Sequence, residues 1–133
     1  MFNKTLIPFI LILSFSVYGQ KKELKAVDKL VESQDYVTAL NQLLPLQSVV
    51  EGSELIYQAQ YQFLAGKIYG GQKDFEAAFT AFDSARQLEA ENGSSKYTAE
   101  IDKLMSDLSL EAINKAIDEN QNENYAEASE LLI

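Results

Sequence analysis

Glu89 with Glu91, and Asp118 with Glu119, are carboxylates spaced closely enough to suggest an acid and base pair. Such a pair must flank one scissile bond, with one group donating a proton while the other attacks or activates water. Neighbouring positions on a helix point in different directions, so neither pair converges on a substrate, and a solvated helix end accounts for both. Serines, threonines, tyrosines and lysines remain, but the chain has no His and no Cys. That removes Ser-His-Asp triads, Cys-His pairs and zinc sites built on Cys or His. Nothing else lowers a nucleophile's pKa or supplies a base poised near neutral pH, so the sequence reads as non-catalytic, with no catalytic residue, cofactor or metal site. "NGS" at 92–94 fits a glycosylation sequon and also the common Asn-Gly ending of a helix, which is the reading adopted.

Charge narrows the partners. The chain carries 11 basic against 20 acidic residues. Four of the lysines fall between Lys21 and Lys29, and from Leu30 onward 6 basic residues face 18 acidic ones. Such a surface repels phosphate backbones and anionic lipid, which argues against nucleic acid as a partner. The 47% hydrophobic content is too high for a disordered tail, and 133 residues allow one folded unit.

The first twenty residues, "MFNKTLIPFILILSFSVYGQ", place Lys4 before an apolar run from Leu6 to Val17 and then small residues. This is the layout of a secretory signal over residues 1–19, with Gly19 and Gln20 at the cleavage point. A run of that length rises about 18 Å as a helix, short of a hydrocarbon core roughly 30 Å thick. The expectation is therefore a cleaved signal and a mature chain that does not span a membrane, placed in the periplasm or outside the cell. Without Cys it is not a lipoprotein. The ending "SFSVYGQ" also resembles export signals of Bacteroidota.

The mature chain reads as helical throughout. Leu24, Val27, Leu30 and Val31 share a face and predict a helix over 21–33. Asp35 caps a second, from Tyr36 to about Val50, which Pro45 should kink or shorten. A third runs over about 54–70 and stops at Gly70 and Gly71; Asp74 caps a fourth over about 75–90. A long stripe from Ile101 to Ala116 predicts a fifth helix over about 96–120, ended by "NQNEN". Asn124 then caps a sixth, with Glu127 completing an Asn-x-x-Glu box. Alternating strand patterns are absent, so the fold class is all-α.

One short word recurs: Asp35-Tyr36 with Ala39, Asp74-Phe75 with Ala78, and Asn124-Tyr125 with Ala128, the alanines 39 and 50 residues apart. Internal similarity at this period points to stacked helix pairs. Around the middle copy, Ala65-Gly66 and Tyr69 precede the word and Phe82 and Ala85 come after it. This set resembles the tetratricopeptide repeat, a helix pair of about 34 residues. In such a pair Gly66, Ala78 and Ala85 let two helices approach closely while Tyr69, Phe75 and Phe82 fill the space around them. The match is strongest over about 59–90. Gln62 stands where the family favours Trp, and Leu43 takes the aromatic position of the first unit.

The resemblance implies a domain over 20–133 with three units at about 20–52, 54–92 and 96–133, the last incomplete, coiled as a right-handed superhelix. It further implies a protein-protein interaction scaffold that holds a peptide or protein on its concave face, where Gln60, Phe63 and Lys67 would lie. The family's carboxylate-gripping positions are not filled here. Two alternatives remain open: a glycan or small-ligand binder of the cell envelope, and the N-terminal sensory part of a longer repeat protein. The incomplete last unit also suggests self-association.

Overall fold

The computed structural model describes residues 19–131. The export segment therefore lies outside the described residues except for Gly19, as do Leu132 and Ile133. Six α-helices are arranged in this order: α1 over 19–32, α2 Tyr36–Leu43, α3 Gln47–Glu51, α4 Leu55–Gly71, α5 Phe75–Glu91 and α6 Thr98–Leu131. A 3-10 turn, Leu44–Leu46, joins α2 to α3 and contains Pro45, which interrupts the second helix as its missing N–H requires. Every regular element among the described residues is helical.

The two tight reversals are built alike. Gln34 (φ 61°) and Lys73 (φ 64°) are left-handed. The amide N–H groups of Gln34 and Asp35 donate to the carbonyls of Val31 and Leu30, and those of Lys73 and Asp74 to the carbonyls of Gly70 and Tyr69. Each turn satisfies the orphan carbonyls at one helix end. It also delivers an Asp whose carboxylate starts the next helix, Asp35 accepting from the Thr38 amide and Asp74 from the Ala77 amide. The recurring word is thus one backbone device used twice, 39 residues apart.

Helix α4 lies between two layers. Its Tyr61, Leu64, Ala65 and Ile68 pack with Leu24, Val27 and Val31 of α1 and with Ala39 and Leu43 of α2. Phe63 joins Ala78, Phe82 and Ala85 of α5 and Ile101 and Leu108 of α6. Close approach of α4 and α5 depends on Gly66, where an added Cβ would sit 2.5 Å from the Phe82 ring. Gly71 does the same for Tyr36, whose ring lies where its side chain would be. Burial pushes the Tyr61 phenol up from its ordinary pKa, with Tyr69 and Glu51 adding to the effect.

The third copy of the word behaves differently. Helix α6 runs unbroken from Thr98 through Asn124 to Leu131, so "NQNEN" makes no turn, Asn124 caps nothing, and the described part of the third unit, expected over 96–133, holds one helix. Tyr125 stands 76% exposed instead of joining a core. The reversals at Asp35 and Asp74 are locked by helices that pack on one another across the turn. Among the described residues no such layer covers α6 past Ala112: every residue from Ile113 to Ala126 is exposed. With nothing to bury on turning back, the chain keeps its internal hydrogen bonds and continues.

Candidate functional site

A groove runs along α4 between α1 and the start of α6. Its first section, a cavity of about 310 Å³, is lined by Lys21 and Lys25 of α1, Tyr57 and Gln60 of α4, and Lys96 with Tyr97 just before α6. The next section, about 320 Å³, is bordered by Asp28 and Glu32, by Gln60, Phe63 and Lys67, and by Glu100. The last, about 210 Å³, is walled by Val31, Tyr36, Gly66, Gly70, Leu104 and Leu108. Residue numbers rise together along α1, α4 and α6 through the three sections. The three helices therefore share one direction and one face.

The residues expected at the concave face, Gln60, Phe63 and Lys67, are brought together here by their helical spacing. Gln60 is half-buried and borders both of the first two sections. Lys67 is fixed rather than free, because its Nζ lies 3.5 Å from Glu100 and 5.0 Å from the centroid of the Phe63 ring. Phe63 lines the second section but is mostly covered. It is 5% exposed, stacks on Tyr97 at 4.4 Å between centroids and meets Phe82 at 6.3 Å. Its ring is spent in joining α4 to α6, so it supports the groove floor.

Of the remaining repeat residues, Ala39, Ala78, Phe82 and Ala85 are fully buried and Ala65 and Gly66 nearly so, while Tyr69 bridges the two core clusters. Phe75 packs on the second cluster beneath Lys115, whose Nζ is 5.9 Å from its ring.

Glu89 corrects an expectation. It is 1% exposed, not a solvated helix end, and its Oε1 accepts from the Tyr97 amide at 2.7 Å. A buried carboxylate thus closes the loop between α5 and α6 and sets the position of the Tyr97 ring over Phe63. Glu91, Asp118 and Glu119 are exposed. Among the described residues no cluster of three or more His, Cys, Asp or Glu could hold a metal ion. No helix among them is long and apolar enough to cross a membrane.

The groove residues contributed by α1 and by the 96–100 segment were not evident in the sequence as a site. A signal for them was present: stepping back 39 residues from Gln60 and Lys67 lands on Lys21 and Asp28. No protein-family model, curated protein or solved structure matches this chain.

Proposed function

We propose that the protein is a non-catalytic scaffold whose groove along α1, α4 and α6 holds a peptide or an extended segment of a partner protein. In this reading α1 with α2, and α4 with α5, are tetratricopeptide-like helix pairs, and α6 supplies the first helix of a further unit. The observation that carries it is the continuous groove on one face of three co-directional helices, the surface that stacked helix pairs present to ligands. The identical turns at Gln34 and Lys73 add to it. Export to the periplasm or beyond by a cleaved signal completes the reading.

The test is capture from an envelope extract of cells that express the protein. Wild type should retain a discrete partner, and Lys67→Glu, which turns the Lys67–Glu100 pair in the middle of the groove into two like charges, should lose it. Retention by both Lys67→Glu and Gln60→Arg, with the fold checked by circular dichroism, would move the site off this face.

A second surface has its own observation. Leu110, Ile113 and Ile117 of α6 are 61%, 55% and 48% exposed and form an apolar stripe along the helix. We infer that this stripe supports self-association. Light scattering should show a mass that grows with concentration and with salt, since salt screens the acidic side chains around it. Replacing Ile113 and Ile117 together with Glu should return a monomer; a wild-type chain that is monomeric at every concentration and salt level would contradict this.

A further inference from the structure

The charges along the groove are ordered. Lys21, Lys25 and Lys96 converge on its first section from two parts of the chain. Among the described residues none of the three has a carboxylate oxygen within 4.0 Å, the separation at which Lys115 still pairs with Glu119. They stand out in a chain whose net charge is −9. The next section gathers Asp28, Glu32 and Glu100 with two cations, Lys67, which pairs with Glu100, and Lys96, which it shares with the first section, leaving an excess of one negative charge there. The last section is mainly apolar, with Val31, Tyr36, Leu104 and Leu108 beside Gly66 and Gly70, and it shares Glu32 and Lys67 with the section before.

Resting on the peptide-binding reading of this groove, we infer that its occupant is an extended peptide with an acidic, a basic and an apolar side chain in that order from the Lys21 end. At 1.5 Å per helical residue the lysine pair on α1 lies about 10 Å before the Asp28 and Glu32 pair. An extended peptide covers that in about three residues. From Glu100 to the apolar section is a similar distance along α6. The three side chains are therefore about three residues apart, and opposite charges meet at the first two positions. A purely acidic or purely basic peptide of the same length meets like charge in one of the two sections, and that repulsion is what makes the groove selective.

The experiment uses the full chain and two capped, fluorophore-labelled peptides. One carries an acidic pair, a basic pair and a leucine pair separated by serines; in the other the acidic and basic pairs exchange places. Fluorescence polarisation should show the first binding about tenfold more tightly than the second, a difference of about 1.4 kcal/mol. The margin should collapse in about 1 M salt, where charges are screened within about 3 Å. A variant combining Lys21→Glu, Lys25→Glu, Asp28→Lys and Glu32→Lys, all on the surface of α1, should reverse the preference while its melting temperature reports an intact fold. Equal affinity for the two peptides overturns the ordering and leaves the groove as a peptide site. No binding of either, or a reversed variant that keeps the wild-type preference, also overturns it; partner capture by wild type but not Lys67→Glu then shows whether the groove itself still binds.

Discussion

Helix α5 and the outer half of α6 are both drawn from the same apolar spacing, yet one is core and the other stands in solvent. In α5, Ala78, Ala81, Phe82 and Ala85 are all buried. In α6 the stripe continues past Leu108 through Ala112, Ile113, Ala116 and Ile117, and from Ile113 onward every one of these is exposed. The contrast teaches that a periodic stripe states what a helix can bury, while the facing helix decides whether it does. Phe82 is buried because Gly66 leaves room for its ring. Among the described residues the last tethers of α6 to the rest are the Lys73–Glu111 ion pair and Lys115 over the Phe75 ring; beyond Lys115 the helix continues for about 24 Å to Leu131.

Substitutions should divide along the same line. Phe82→Ala should cost the most, about 3–5 kcal/mol in denaturant unfolding, because a fully buried ring leaves a cavity between α4 and α5. A melt indistinguishable from wild type would remove Phe82 from the centre of the fold. Gly66→Ala comes next: its Cβ would meet the ring at 2.5 Å, and displacing a packed aromatic costs about 1–3 kcal/mol. Asp74→Ala should lose about 1 kcal/mol with its cap on the Ala77 amide. Asn124→Ala, at the matching place in the third word, should cost nothing and raise the helical circular dichroism signal, since Ala is the better interior residue. A loss equal to that of Asp74→Ala would restore the turn that "NQNEN" suggests. Ile117→Glu should likewise stay within about 0.5 kcal/mol of wild type for the monomer.

Much of this fold was legible in the sequence. Asp35, Asp74 and the Asn92-Gly93 ending marked their helix boundaries because caps and left-handed turns restrict residue types, and Gly93 is indeed left-handed at φ 68°. Pro45 announced the break that ends α2. The continuity of α6 was not legible, because Asn124 and Tyr125 spell the same word as Asp35 and Tyr36, and the left-handed positions of the two reversals, Gln34 and Lys73, are not glycines that would distinguish them. What separates the copies is the layer packed across the turn, a long-range property. Glu89 was hidden for a related reason: a carboxylate near a helix end is solvated by default, and only the return of Tyr97 over Phe63 buries it. At the site, the face shared by Gln60, Phe63 and Lys67 came from spacing within one helix. The charges that α1 and the 96–100 segment set opposite that face depend on how three helices align.

If the groove is the binding surface, partners engage it and not the outer helices. Site-specific photo-cross-linking in cells tests this most directly, with the photoreactive side chain placed either at Gln60 in the groove or at exposed Thr80 on α5. Binding in the groove predicts a discrete adduct from Gln60 that disappears with Lys67→Glu, and none from Thr80. An adduct from Thr80 with none from Gln60 would contradict it.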